Sequence, residues 1–142
     1  MLVWALLLRP QTLAGPASYV VVAGHSMNPA LRSGDLVIAR ERDTYATGDV
    51  VIYPIPDGQG GAGVRVIHRI VGGTAGAGYV TQGDNRDTAD VWRPTPGQID
   101  GKQWLRIPSA GHPLALLNSP ILPAIAGAIA TFLAITAPRR RS

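Results

Sequence analysis

The chain of 142 residues contains no cysteine and a single lysine, Lys102. The absence of cysteine excludes disulfide bonds, thiolate metal sites and cysteine nucleophiles, although it leaves the redox compartment undecided. The scarcity of lysine restricts the chemistry further, because a mechanism that needs a lysine base has only one candidate, late in the chain.

Charge is also scarce, since 15% of the residues are charged and 46% are hydrophobic. That balance is unusual for a small soluble protein and indicates contact with membrane lipid. The formal net charge is +4, but Arg139, Arg140 and Arg141 supply three of these charges and leave only +1 for the preceding chain. A nucleic-acid surface would need basic residues clustered through the domain, so no nucleic-acid partner is predicted.

Residues 114–137 form a largely apolar segment of 24 residues without a charge. As a helix it would reach about 36 Å, more than the ~30 Å hydrocarbon core of a bilayer. We therefore predict a C-terminal transmembrane helix over 114–137. The basic tail, 138–142, is expected on the cytoplasmic side, because positive charge beside a span favours that side. The rest of the chain would then lie on the extracytoplasmic face of the cell membrane.

The N-terminal segment, residues 1–16, is apolar only as far as Arg9 and Pro10. The preceding eight residues are too few to span a bilayer. Three interpretations stay open: a short interfacial anchor, the end of a longer transmembrane span, or a strand of the domain that follows.

The region 17–112 reads as a β-rich domain. Its β-type runs are 18–23, 35–39, 50–55, 64–71, 79–82 and 103–107, separated by clusters of glycine and proline. Many short runs with turn signals between them predict a mainly β fold, namely a small antiparallel sandwich or a barrel-like domain.

Ser26 is the first candidate for chemistry, in Gly-His-Ser-Met-Asn-Pro at 24–29. A serine at a strand-to-turn junction exposes its hydroxyl and lies beside outward-pointing backbone N–H groups, which suits a nucleophile and its oxyanion donor. Serine is also common in turns, where it caps its own backbone. The adjacent His25 is not favoured as a base, because neighbouring side chains usually point apart.

His68 is the second candidate, within the alternating run Val-Arg-Val-Ile-His-Arg-Ile-Val at 64–71. Strand alternation places His68 on one face with Val66 and Ile70. A histidine on such a face is either a satisfied core residue or a base with a nucleophile on one nitrogen and an acceptor on the other.

The third candidate is the loop Gly-Asp-Asn-Arg-Asp-Thr-Ala-Asp at 83–90. Its three carboxylates, Asp84, Asp87 and Asp90, do not fit a calcium loop of the EF-hand type, which has glycine at the sixth position and glutamate at the twelfth. The loop is either a solvated surface segment or the source of the acid in a Ser/His/Asp set. The sequence calls for no metal and no cofactor.

These motifs occur in a characteristic order: Gly-x-Ser-Met-x-Pro, Gly-Asp-Leu-Val, Gly-Asp-Val-Val, Val-Ile-His-Arg and Gly-Asp-Asn. The order resembles the type I signal peptidases over about residues 20–90. Bacterial-type members have a lysine base where this chain has His68, and members of the endoplasmic-reticulum type, shared with archaea and some Gram-positive bacteria, have histidine. The chain is therefore similar to the second type.

The resemblance implies a membrane-bound serine endopeptidase whose substrates are the signal peptides of exported preproteins, cut after small residues. It assigns the nucleophile to Ser26 and the general base to His68. It assigns the acid to Asp90, with Asp84 as the other family carboxylate and Asp87 as a further candidate. Two alternatives stay open: an inactive membrane-tethered β-domain that binds a partner, and a specialised peptidase with few substrates. The oligomeric state is not predicted.

The chain departs from the family at one position beside the nucleophile. Many members carry a hydroxyl residue two positions before the serine, but Gly24 stands there in this chain. The oxyanion hole is therefore expected to consist of backbone N–H groups, chiefly that of Ser26.

Overall fold

The computed structural model describes Gly15 and residues 17–111. The chain divides into two compact units, Met1–Gly111 and His112–Ser142, and every described residue belongs to the first. The predicted transmembrane helix at 114–137, the tail at 138–142 and nearly all of the N-terminal segment lie outside the described residues. Within the described part, no helix is long and apolar enough to cross a bilayer.

Six strands form one antiparallel sheet. They are β1 (Ala17–Val21), β2 (Leu36–Arg40), β3 (Val50–Pro54), β4 (Arg65–Thr74), β5 (Gly78–Gln82) and β6 (Gly101–Ile107), with a 3₁₀ turn at Pro96–Gln98. Their order across the sheet is β1-β2-β6-β3-β4-β5. The predicted mainly β, antiparallel class is confirmed, but the described strands form a single sheet rather than the two stacked sheets of a sandwich.

The central strands are apolar on both faces, because each face of the sheet is covered by its own hydrophobic cluster. In β3, Val50 and Ile52 belong to one cluster, whereas Val51 and Tyr53 belong to the other, as strand alternation requires. The first cluster comprises Val22, Met27, Leu31, Val37, Ala39, Val50, Ile52 and Ile67. The second comprises Tyr45, Val51, Tyr53, Ile70, Tyr79 and Ile99. Side chains on the second face of β4 are therefore buried beside aromatic residues.

Strand β4 is longer than the sequence predicts, because it continues through a glycine pair that reads as a loop. Gly73 has a φ of +83°, and a Cβ there would lie 2.4 Å from the carbonyl oxygen of Gly78 on the paired strand. Glycine therefore lets β4 and β5 approach closely where a side chain would separate them.

Asp35, from the Gly-Asp-Leu-Val motif, is a structural carboxylate that is 2% exposed. It accepts hydrogen bonds from the backbone N–H groups of Arg32 at 2.8 Å and Ser109 at 3.1 Å, and it pairs with Arg106 at 2.7 Å. Burial opposes its charge, but these partners outweigh burial and lower its pKa. The motif thus joins the turn before β2 to the segment after β6.

Candidate active site

Ser26 lies in the turn that follows β1, and the core holds this turn in place. Met27 and Leu31 are each 1% exposed in the first cluster, and the backbone N–H of Leu31 donates to the Met27 carbonyl oxygen at 2.9 Å. Gly24 enters the turn with a φ of +87°, a conformation that favours glycine. With Met27 anchored in the core, the half-buried Ser26 side chain borders a cleft instead.

His68 lies in the middle of β4, opposite Val51 of β3. It is 5% exposed, and its strand neighbours Val66 and Ile70 pack in the second cluster. A polar ring at such a buried position needs hydrogen-bond partners, because an unsatisfied polar group there would be costly.

Both ring nitrogens of His68 have partners. Nε2 lies 3.1 Å from the Ser26 Oγ, and Nδ1 lies 2.6 Å from the Asp90 Oδ2. A carboxylate can only accept, so the Nδ1 proton points at Asp90, and Nε2 is left to accept the Ser26 proton. The three side chains thus form a continuous relay from hydroxyl to imidazole to carboxylate.

The carboxylate of Asp90 is buried, with its side chain 9% exposed. Burial opposes its negative charge, but hydrogen bonds from His68, Thr81 and Tyr53 outweigh this effect and lower the pKa of Asp90. Asp90 is therefore charged at neutral pH while enclosed by protein.

The other two candidate carboxylates of the loop are placed differently. Asp84 is held by Arg69, whose Nε and Nη2 lie 2.8 and 2.7 Å from its two oxygens. The same guanidinium donates to the Gly48 carbonyl oxygen at 2.8 Å. Asp87 is exposed. The geometry therefore brings Asp90, rather than Asp84 or Asp87, to the imidazole.

The start of the loop, Gly-Asp-Asn at 83–85, lies directly against the serine turn. A Cβ on Gly83 would be 2.6 Å from the Ser26 carbonyl oxygen and 3.0 Å from the His68 Nε2, so only glycine fits between them. The Asn85 backbone N–H donates to the Ser26 carbonyl oxygen at 2.8 Å, and its side-chain amide donates to the His25 carbonyl oxygen at 3.2 Å. This motif therefore fixes the distance between the serine turn and β4.

A cleft of about 350 Å³ opens beside Ser26 and His68. It is lined by Val20, Val21, Val22, Ala23, Ser26, Ile55, Val64, Arg65, Val66, Ile67, His68, Arg86, Asp90 and Trp92. Two of its walls are strand edges, because β1 is the last strand of the sheet and β5 pairs with β4 only from Arg69 onward. Within the described residues these edges have no strand partner and can bind an extended peptide.

Two residues at the site were missed by sequence reasoning. The hydroxyls of Tyr53 and Thr81 lie 2.8 and 2.7 Å from the Asp90 Oδ2, although both residues lie in strands that read as plain core. The available signal was a hydroxyl within an apolar strand, since a buried hydroxyl requires a partner.

Lys102 does not line the cleft. Its Nζ lies 2.6 Å from the Asp49 Oδ1, so the single lysine of the chain forms an ion pair with the Gly-Asp-Val-Val motif. Among residues 17–111, no group of three or more histidine and carboxylate side chains could hold a metal ion.

Comparison with known proteins identifies the family to which the chain belongs. The sequence model of the family described as Peptidase S24-like matches residues 5–77, which include Ser26 and His68. The chain belongs to this family. The match ends before the loop that carries Asp90, so it bears on the serine turn and β4 but not on the third member of the relay.

Several fungal proteins named as signal peptidase complex catalytic subunit SEC11 are similar to this chain. The protein from Verticillium alfalfae is 34% identical over 116 residues, covering 72% of this chain and 65% of that protein. The protein from Neurospora crassa is 32% identical with the same coverage, and that from Clavispora lusitaniae is 36% identical over 76 residues, 51% of this chain and 43% of its own. The resemblance to type I signal peptidases of the endoplasmic-reticulum type is confirmed. The chain spans 65% of the length of the Verticillium alfalfae and Neurospora crassa proteins, slightly less than two thirds.

Proposed function

We propose that this protein is a membrane-bound serine endopeptidase that removes signal peptides from exported preproteins. Ser26 is the nucleophile, His68 the general base and Asp90 the residue that orients the imidazole. The observation that supports these roles is the relay with 3.1 Å between Ser26 Oγ and His68 Nε2 and 2.6 Å between His68 Nδ1 and Asp90 Oδ2, at the edge of an open cleft. Membership of a peptidase family and the similarity to SEC11 proteins support the reaction and substrate class.

The reaction is acyl transfer in two steps. The Ser26 Oγ attacks the scissile carbonyl carbon while its proton passes to the His68 Nε2, and Asp90 stabilises the resulting imidazolium. His68 then gives this proton to the leaving amine as the C–N bond breaks. A water molecule hydrolyses the acyl-enzyme by the same proton route and regenerates the free hydroxyl.

The developing oxyanion is bound by the backbone N–H of Ser26. That N–H donates to no acceptor among the described residues, which leaves it available to the substrate. Because position 24 is glycine, no hydroxyl side chain is present there to add a second donor. One such donor typically contributes about 10²–10³ in rate.

The substrate lies in the cleft as an extended segment that pairs with the edges of β1 and β4 that line it. Backbone hydrogen bonds then supply affinity, and the side-chain pockets between the edges select small residues. The cleft walls are largely aliphatic, with Val20, Val22 and Val66 among the lining residues. This lining favours small apolar side chains and is consistent with cleavage after residues such as alanine.

The experiment compares the purified full-length chain with Ser26→Ala and His68→Ala on a preprotein that carries an Ala-x-Ala cleavage site. Each variant is expected to lose at least about 10³ of kcat/KM while keeping its unfolding midpoint. Ser33→Ala and His25→Ala are matched controls, because both residues are exposed, and both are expected to retain activity. Retained cleavage by Ser26→Ala would contradict the proposal.

A serine-directed acylating probe separates this enzyme from an inactive partner-binding domain. We expect the wild-type chain to be labelled at Ser26 and the His68→Ala variant to be labelled much more slowly, because the hydroxyl loses its base. Absence of labelling in the wild-type chain would instead favour the binding domain.

We also propose that residues 114–137 anchor the enzyme in the cell membrane, with the tail 138–142 cytoplasmic and the catalytic unit extracytoplasmic. The apolar length of this segment and the three arginines after it support this topology. The chain has no cysteine, so single Ser33→Cys and Ser142→Cys variants report each side with a membrane-impermeant thiol reagent. In intact cells we expect labelling of the first variant only, and labelling of the second alone would reverse the topology.

A further inference from the structure

The Asp90 carboxylate is held by two buried hydroxyls in addition to His68. Tyr53 is 1% exposed and Thr81 is 0% exposed, and their hydroxyl oxygens lie 2.8 and 2.7 Å from the Asp90 Oδ2. The same two hydroxyl oxygens are 2.8 Å apart. The three oxygens therefore form a closed triangle behind the imidazole.

The number of protons in this triangle restricts the hydrogen bonding. Each hydroxyl has one proton, and an ionised carboxylate has none to give. Either both hydroxyls donate to Asp90, or one donates to the other and the second donates to Asp90. In every arrangement at least one hydroxyl proton reaches the oxygen that also accepts from His68.

One backbone hydrogen bond and one contact between aromatic rings support this cluster. The Asp90 N–H donates to the Thr81 carbonyl oxygen at 2.8 Å, so Thr81 holds Asp90 through its main chain as well as its side chain. The Tyr53 ring packs edge-on against Trp92, with centroids 6.4 Å apart. Side chains from three strands, β3, β4 and β5, thus converge on a single carboxylate oxygen of the loop 83–90.

We propose that Tyr53 and Thr81 are positioning residues of the catalytic relay, which fix the Asp90 carboxylate against His68 and stabilise its charge by hydrogen bonding. The proposal rests on the proposed function for its kinetic consequence, but its structural part concerns the His68–Asp90 pair alone. It extends the relay from three side chains to five.

The chemical consequence follows from what Asp90 would do without these donors. The Asp90 carboxylate would then be free to rotate away from Nδ1, which lowers the fraction of imidazole in the tautomer that can accept from Ser26. The hydroxyls thus keep the base correctly oriented and in the tautomer that the reaction needs.

The test uses Tyr53→Phe, Thr81→Val and the double variant in the full-length chain. Each single variant is expected to lower kcat by about tenfold with little change in KM, because a hydrogen bond to a charged group is removed away from the cleft. The double variant is expected to lose less than the product of the two, since both hydroxyls serve one oxygen.

A second measurement does not depend on peptidase activity. The ¹⁵N chemical shifts of the neutral His68 imidazole report which ring nitrogen carries the proton, and the fraction protonated at Nδ1 is expected to fall in both single variants and further in the double variant. If no preprotein is cleaved but this fraction falls, the proposed function fails and the positioning role stands.

Tyr45→Phe is the matched control. Tyr45 is 7% exposed in the same hydrophobic cluster, and its hydroxyl accepts from the Arg42 backbone N–H at 3.1 Å, with no link to Asp90. Its substitution is expected to lower stability without changing the tautomer of His68. The positioning role is overturned if Tyr53→Phe and Thr81→Val behave like this control, with reduced stability and an unchanged fraction of His68 protonated at Nδ1.

Discussion

Asp84 and Asp90 begin and end the same short stretch of chain, yet their surroundings differ in kind. Asp84 faces the Arg69 guanidinium with both oxygens, and its side chain is 18% exposed. Asp90 directs one oxygen at an imidazole and two hydroxyls, and its side chain is 9% exposed. Asp84 therefore contacts a permanent cation, whereas Asp90, six positions later, contacts a base that can gain and lose a proton.

This difference in partner decides what each carboxylate can do. The guanidinium of Arg69 is always charged, so its pair with Asp84 is a constant brace between the loop and β4. The imidazole of His68 is neutral or charged as the proton moves, so Asp90 can stabilise a charge that appears only during a reaction. We infer that Asp84 determines where the loop lies and Asp90 determines how His68 reacts.

The largest expected effect follows from replacing Asp90 with asparagine. The Asn side chain keeps the shape, but its amide can donate to Nδ1 and would favour the imidazole tautomer whose Nε2 carries a proton. Such a ring cannot accept from Ser26, so we expect kcat to fall by about 10³–10⁴. The measurement is preprotein cleavage alongside an unfolding curve. A loss of kcat below about tenfold would contradict the assignment of different roles to the two carboxylates.

Replacing Asp84 with asparagine is expected to act on stability instead. The variant loses the bidentate ion pair with Arg69, which is partly exposed and therefore screened by solvent, so the loss should be about 1 kcal/mol. We expect kcat to change by less than about tenfold. Urea unfolding measures the first quantity, and Asp87→Asn is the control, because it removes the same charge from an exposed position of the same loop. An Asp84 variant that lost as much kcat as the Asp90 variant would contradict the assignment.

Much of this arrangement is accessible from the sequence because each predicted feature has a local cause. The alternation of β4 places His68 on one face with Val66 and Ile70, and all three lie on the face of the second cluster. Each predicted β-type run corresponds to a strand of the structure, because turns rich in glycine and proline separate the runs.

Long-range partners are harder to predict, because their pairing is set by the strand order. Tyr53 reaches Asp90 across 37 positions of sequence, and nothing in the β3 run indicates a polar partner. The sequence alone likewise does not decide between Asp84 and Asp90, because the decision depends on the fold, which places Arg69 on the opposite side of β4 from His68. The insertion of β6 between β2 and β3 also has no local signal in the sequence.

The smallest expected effect concerns acid stability, to which the Asp90 carboxylate contributes. The hydrogen bonds to Asp90 lower its pKa in the folded protein, while the unfolded chain has the ordinary value of about 3.9. The unfolded state therefore binds more protons as the pH falls through this value, and folding stability is lost toward the lower folded pKa. Above about pH 5 this contribution is complete and does not change with pH.

Comparison with Asp90→Asn isolates this contribution, since the variant has no carboxyl to titrate at that position. Between about pH 5 and pH 3 the free energy of unfolding should fall more steeply for the wild-type chain than for the variant. Asp35 also has a lowered pKa, but it is present in both proteins and cancels from the difference. Parallel urea-derived stability curves would contradict this prediction, because they would mean that the hydrogen bonds from His68, Thr81 and Tyr53 do not lower the pKa of Asp90 in the folded protein.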